Sequence, residues 1–307
     1  MTTPPDAATW HAPVLLDEAI GFLAPVPGGV YCDATVGLAG HALAILQRSA
    51  PDGRLVGIDR DPASLELAGA RLAAFGDRVM LVHSRFGSIR TVLERADALP
   101  LDGCLVDLGV SSMQLDRSDR GFSFRHSGPL DMRMDQSQGE TAADFLGRAD
   151  ETELEAILRD LGEERFARKI AASIVDVRGS EDLSTTSALA RLVARVVPSR
   201  ERGKDPATRT FQALRIAIND ELGEIERLLA DIPSCLRPGG RLVVISFHSL
   251  EDRIAKRCFR ALAGREAPGG PSLRILNKHV VVASDEERGR NPRSRSAKLR
   301  AVERLPS

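Results

Sequence analysis

Short apolar runs alternate with amphipathic stretches through the first third of the chain. "GGVYCDAT" (28–35), "GRLVGIDRD" (53–61), "RVMLVHSRF" (78–86) and "LDGCLVDLG" (101–109) each have a short apolar centre bounded by Gly or Asp, the pattern of a buried strand. Between them, "HALAILQRS" (41–49) and "PASLELAGARLAAF" (62–75) repeat apolar residues at the spacing of one helix face. This alternation predicts β-α units and a parallel sheet with helices on both faces. The pattern then changes. From about Ser112 to Ala207 no strand is expected, while 141–178 and "TSALARLVARVV" (186–197) have helical spacing throughout. Strand-helix order resumes with one helix over 211–236, a turn at "RPGG" (237–240) and a strand at "RLVVISFHS" (241–249). The expected organisation is therefore a sheet domain in two parts, 1–115 and 208–307, interrupted by an all-helical domain at 116–207.

Length and composition narrow the class. At 307 residues the chain can bury one large core or two modest ones. Its longest apolar runs are strand-length, well below the ~20 residues of a bilayer-spanning helix. The first 13 residues, "MTTPPDAATWHAP", lack a basic segment followed by an apolar one, so no signal peptide and a cytoplasmic location are expected. Cys32, Cys104, Cys235 and Cys258 are scattered without a C-x-x-C pair, which reads as buried thiols and no metal site. A formal net charge of -1 excludes a uniformly basic nucleic-acid binder. Charge is nevertheless segregated: from Arg288 to Arg304 the chain carries Arg288, Arg290, Arg293, Arg295, Lys298, Arg300 and Arg304 against Glu303 alone. "APGGPS" (267–272) and "GRNPRSRSAK" (289–298) read as loops.

The loop after the first strand, "DATVGLAGH" (33–41), has Gly37 and Gly40 beyond Asp33 at the strand end. Small residues there let a ligand approach the backbone. Asp59 closes the second strand 22 positions after Gly37, where nucleotide-binding sheets place the carboxylate that accepts from ribose hydroxyls. A tight turn beside a solvated Asp gives the same spacing, and both readings stay open on spacing alone. "GLAGHA" lacks G-x-G-x-x-G, which argues against a pyrophosphate cofactor. S-adenosylmethionine suits better, because its sulfonium is cationic and Asp33 and Asp107 end neighbouring strands. "LRPGGRLVVISFH" (236–248) is also similar to a segment of many S-adenosylmethionine-dependent methyltransferases.

Longer motifs make the resemblance specific. "DLGVSSMQLD" (107–116), "RGFSF" (120–124), "GPLDMRMD" (128–135), "GEERFARKIA" (162–171), "PATRTFQALRI" (206–216), "SFHSLEDR" (246–253) and "NPRSRSAKLR" (291–300) stand in this order. Together, from "HAPVLLDEAI" (11–20) onward, they resemble the bacterial ribosomal RNA small subunit methyltransferase H (MraW) family. The resemblance implies a Rossmann-like α/β methyltransferase sheet with an inserted helical domain that recognises substrate. It also implies S-adenosyl-L-methionine as cofactor and transfer of its methyl group to the exocyclic N4 of a cytosine in 16S ribosomal RNA of the small subunit. No membrane partner is implied, and homodimer formation is left open.

Carried over residue by residue, the family's cofactor contacts fall on Ala39, Gly40, His41, Asp59, Phe86, Asp107 and Gln114, beside Asp33 from the strand-end argument. Phe86 offers an apolar face to adenine, and Gln114 both donates and accepts. The family has Gly-Gly-His where this chain has Ala39-Gly40-His41; the extra methyl group is tolerable if φ at position 39 is negative. His41 at a helix start has a capping or packing reading alongside the cofactor one. No D/N-P-P-Y motif is present. Asp107 and Ser111, in and beside the Gly109–Ser112 loop, are the candidates to accept hydrogen bonds from the target amino group. His248 is a candidate substrate contact, with a structural role as the alternative. Glu251 and Asp252 read as a helix start. In "RHSGPLDMRMD" (125–135) the expectation is that Met132 and Met134 fill apolar space and Arg133 pairs with a carboxylate, with RNA contact by Arg133 as the second reading. Arg165, Arg168, Lys169 and the Arg-rich C-terminus are candidate phosphate contacts.

Overall fold

A computed structural model describes residues 12–197, 205–263 and 272–306. The chain divides into two compact units, Met1–Gly109 with Leu222–Ser307, and Val110–Glu221.

The first unit opens with α1 (Leu16–Leu23), then runs β1 (Val30–Asp33), α2 (Gly40–Arg48), β2 (Arg54–Asp59), α3 (Pro62–Leu72), β3 (Val79–His83), α4 (Ile89–Arg95) and β4 (Leu101–Asp107). The four strands are those the apolar runs predict, each trimmed at its ends; the third stops at His83 rather than 86. On β4, Cys104 and Val106 enter one core and Leu105 the other. Burial on both faces is why this strand is apolar without alternation.

The second unit contains α5 (Ser112–Asp116), α6 (Ala142–Arg148), α7 (Glu151–Asp160), α8 (Ala167–Val177), α9 (Thr186–Val196) and α10 (Thr208–Asn219). Strands are absent from it among the described residues, as the periodicity implies; its one bridge pairs Pro129 with Thr185. The compact unit is wider than 116–207, because α10 packs Phe211, Ala213 and Leu214 into the helical core beside Ile170, Ile174 and Leu189. Met132 and Met134 belong to the same core. Met132 is left-handed, with φ 62°, and Asn219 clasps the segment: its side-chain nitrogen donates to Met132 O at 2.7 Å while its oxygen accepts from Met134 N at 2.9 Å. Between the two methionines Arg133 points the other way. It makes a two-pronged pair with Asp131 at 2.8 and 2.9 Å and donates to Gly139 O at 3.2 Å.

The chain then returns to the sheet through α11 (Glu221–Cys235), β5 (Leu236–Ser246), α12 (Ser249–Leu262), β6 (Leu273–Ile275), α13 (Asp285–Arg290) and β7 (Lys298–Arg304). The single helix expected over 211–236 is in fact two. Asp220 adopts φ 50°, its N–H turning back to Ala217 O and Ile216 O, and ends α10 before α11 begins. The "RPGG" turn appears as a slip in the strand ladder: Leu101 pairs Leu236, the next pairs are Gly103 with Arg241, and Gly239 takes φ 81°.

The sheet order is β3-β2-β1-β4-β5-β7-β6, with β7 antiparallel to both neighbours. β1 through β5 are parallel, so their C-terminal ends share one edge, and the chain order reverses between β1 and β4. The C-terminal basic run is not a loop, and from Lys298 onward it is built into this sheet. "GRNPRSRSAK" forms the end of α13, a 3₁₀ turn at Pro292–Ser296 and the start of β7, while Arg300 pairs with Asp252 at 2.7 Å. Arg304 donates to Leu236 O. "APGGPS" lies almost wholly outside the described residues. All four cysteines are free, three of them buried, and no helix among the described residues is long and apolar enough to cross a membrane.

Candidate active site

In the sheet unit, the switch between β1 and β4 gathers acidic groups. Asp33 ends β1 with its residue only 1 % exposed and accepts from Thr35 N at 3.2 Å. Asp59 ends β2 and takes two backbone N–H groups, Gly37 N on Oδ2 at 2.8 Å and Asp61 N on Oδ1 at 2.9 Å. Asp107 ends β4; its N–H donates to Thr35 Oγ1 at 2.7 Å, and its buried Oδ1 has no hydrogen-bond partner among the described residues.

Burial and mutual repulsion load these carboxyls. Loss of hydration, reinforced by Asp59, pushes Asp33 up to about 7. Burial moves Asp59 to about 6 against the pull of its backbone donors. Asp107 is held well above the carboxylate range, chiefly by burial and then by Asp33 and Glu251. Burial thus opposes ionisation of all three strand-end carboxyls.

The loop joining β1 to α2 follows Asp33. Gly37 is left-handed at φ 47°, which suits glycine. Ala39 is left-handed too, at φ 60° and ψ 30°, with its N–H bonded to Val36 O at 2.7 Å. This corrects the expectation of negative φ: the methyl group is carried in a conformation glycine adopts without cost. Gly40 is confined differently. A Cβ there would lie 2.9 Å from Pro13 Cγ. His41 is buried, its Nε2 3.0 Å from Val14 O and its Nδ1 3.8 Å from Asp107 Oδ2. With the carbonyl accepting, Nε2 carries the hydrogen and Nδ1 presents a lone pair toward Asp107. Burial lowers the ring to about 4, so it is neutral near pH 7.

The remaining candidates follow other strand ends. Phe86 lies just past β3, half-buried against the core shared by α4 and α11. The adjoining Gly87 N donates to Glu224 Oε2 at 2.8 Å, a buried carboxylate also held by Arg227 at 2.6 Å. After β5, His248 precedes α12, with its Nε2 3.1 Å from Glu251 Oε1. Glu251 is completely buried, and its Oε2 accepts from Phe247 N at 2.7 Å and His248 N at 3.2 Å. Sequence reasoning treated Glu251 only as a helix start and missed it as an acidic neighbour of Asp107. Thr35, two positions beyond Asp33, was the one missed residue with a signal in the motif itself.

In the helical unit, Ser111 and Gln114 form a reciprocal cap for α5. Ser111 Oγ accepts from Gln114 N at 3.2 Å, and Gln114 Oε1 accepts from Ser111 N at 3.0 Å. The lone pair with which Ser111 would accept from a substrate is thus partly committed. Arg133, in the same unit, is bound to Asp131. Arg165, Arg168 and Lys169 are exposed.

Comparison with known proteins now bears on this geometry. The family model described as the MraW methylase family matches residues 8–305. The chain is 50% identical over 307 residues to the Ribosomal RNA small subunit methyltransferase H of Trichlorobacter lovleyi, spanning 96% of this chain and 98% of that protein. It is likewise 50% identical to the protein of that name from Geobacter sulfurreducens, over 96% of this chain and 99% of the relative. The one from Nitratidesulfovibrio vulgaris is 49% identical over 318 residues, spanning 99% and 98%.

Proposed function

The chain belongs to the MraW methylase family, and we propose that it uses S-adenosylmethionine to methylate the exocyclic N4 of a cytosine in 16S ribosomal RNA, acting on the small ribosomal subunit. The observation that carries this reading is the acidic cluster at the β1–β4 switch, above all the partnerless Oδ1 of Asp107.

The residues fit the cofactor. Asp33 and Asp107 would compensate a sulfonium, since a nearby cation favours their ionised forms against the burial, and the lesser repulsion, that raises them. Asp59 retains lone pairs for ribose hydroxyls beyond its two backbone bonds. Phe86 offers an apolar surface for adenine. When bound, S-adenosylmethionine supplies a methyl group activated by positive sulfur.

The protein's own part is positioning and charge. Asp107 Oδ1 would accept an N–H hydrogen from the cytosine amino group, favouring an N4 whose lone pair is freed from conjugation with the ring. His41, neutral and fixed by Val14 O, lies 3.8 Å from Asp107 Oδ2 and puts no competing cation beside it. The surplus N4 proton is acidic after transfer and passes to water or to Asp107, so no strong base is required. The target base leaves its stack to reach the site. Arg165, Arg168 and Lys169 on the helical unit would contact phosphates, and Ser111, Gln114, Arg133 and His248 would line cofactor or substrate.

Methyl transfer to small subunits from cells lacking the enzyme, followed by nucleoside analysis, tests this. N4-methylcytidine is expected, and its absence would overturn the reading. An assembled subunit is expected to be a better acceptor than a short oligonucleotide containing the same cytosine. Equal kcat/KM on both would deprive the helical unit of a recognition role.

A further inference from the structure

A cleft opens in the C-terminal part of the sheet unit. It has a volume of about 380 Å3 and lies between α12, the segment after β6, and β7. This is near the lower end of the ~300–1,000 Å3 typical of small-molecule sites, enough for one nucleotide and too little for a duplex.

The lining has two characters. Lys256 and Arg260 stand one turn apart on α12, Lys278 follows β6, and Arg300 comes from β7, so three separate segments turn cations toward one cavity. Ile275, 37 % exposed, and Val280 add an apolar wall. The only carboxylate paired with these cations among the described residues is Asp252, and it is divided between Arg300 at 2.7 Å and Lys298 at 3.7 Å. Lys256, Arg260 and Lys278 have no acidic partner among the described residues. A solvated charged face usually interleaves both signs and pairs them, as this protein does at Arg148 with Glu140 and at Arg195 with Glu181. Here a concave surface concentrates one sign above an apolar wall, which matches a ligand with negative charge on one side and a flat apolar face on the other.

We propose that this cleft is an accessory RNA-binding site, in which Lys256, Arg260 and Lys278 contact phosphates of the RNA substrate while Ile275 and Val280 receive one base or ribose face. The proposal rests on the RNA-methylating function proposed above. It places part of substrate recognition on the sheet unit itself, in addition to the helical unit. Arg300, already paired with Asp252, orients the acidic group and is not counted among the phosphate ligands.

The test uses the full-length protein and a small-subunit RNA fragment spanning the target cytosine. Lys278→Glu changes an exposed side chain and cannot empty the core; Lys256→Glu combined with it gives the stronger reversal. The double variant is expected to raise KM for RNA roughly tenfold and reduce the slope of log affinity against log salt by about 2. S-adenosylmethionine affinity, melting temperature and kcat at saturating RNA should stay at wild-type values. Lys256→Gln with Lys278→Gln should fall between. Unchanged RNA affinity and salt slope in the double reversal would overturn the proposal. Because direct RNA binding is measured apart from methylation, wild-type protein that binds RNA through this cleft without methylating it would discredit the proposed reaction and leave the cleft standing.

Discussion

Asp59 Oδ2 accepts the Gly37 amide at 2.8 Å, tying the end of β2 to the left-handed turn of the loop between β1 and α2. One carboxylate therefore shapes this loop, and the proposed ribose role would use its remaining lone pairs. Asp59→Ala is expected to weaken S-adenosylmethionine binding by about 1–3 kcal/mol, the usual loss for hydrogen bonds to a charged acceptor. Calorimetric titration checks this, and unchanged affinity would exclude the ribose role.

Asp107→Asn keeps side-chain volume while removing a carboxyl whose ionisation is opposed by burial and by Asp33 and Glu251. Turnover at saturating cofactor and RNA should drop tenfold or more, about 1.4 kcal/mol in the barrier. The melting temperature should hold or rise. Wild-type turnover in this variant would rule out an essential charge there.

The raised carboxyls give a pH dependence of definite sign. Asp33 at about 7 and Asp59 at about 6 bind protons more tightly folded than unfolded, so their contribution to stability is complete below about pH 4 and is lost as pH rises through 6 to 7. His41, lowered to about 4, acts oppositely: its contribution is present above about 6.5 and lost as pH falls toward 4. Cofactor-free Asp33→Asn should therefore lose stability less steeply than wild type between pH 5 and 7.5 in denaturant titrations. A cationic cofactor favours the ionised carboxyls, so its affinity should rise over the same range with proton release. Calorimetry in buffers of different ionisation enthalpy measures that release, and proton uptake would contradict it.

Ala39 carries φ 60° with no exposed surface. Ala39→Gly relieves the left-handed Cβ clash of roughly 1–2 kcal/mol but adds freedom to the unfolded chain. The expected net is a gain of about 0.5–1 kcal/mol in chemical denaturation, with kcat unchanged. A loss of stability would mean that the methyl group's packing outweighs its strain.

Asn219 joins Met132 O, Met134 N and Arg215 O inside the helical unit. Asn219→Ala leaves a buried carbonyl and amide without partners, and should destabilise the protein by about 2–3 kcal/mol. Faster amide exchange around Met132 and Met134 would localise the effect. Unaltered exchange there would show that the methionine contacts alone hold the segment.

The sheet was legible because burial of both faces writes continuous apolar runs into β1, β2 and β4, and the helical insertion because its periodicity changes at one place. Asp33, Asp59 and Asp107 were legible as strand-end carboxylates, a property of position along the chain. What the sequence left open depends on contacts between distant segments. The break at Asp220 was hidden because apolar spacing continues across it, while a single residue at positive φ separates two helices that belong to different cores. The left-handed turn at Ala39 is imposed by its amide bonding back to Val36 O, a constraint that residue type does not announce. Arg300 looked like part of a basic tail until β7 paired with β5 and set it against Asp252. Local pattern determined which residues are buried and which strands end in acids; only the folded chain decided which charges are spent on each other and which atoms, like Asp107 Oδ1, are buried without a hydrogen-bond partner among the described residues.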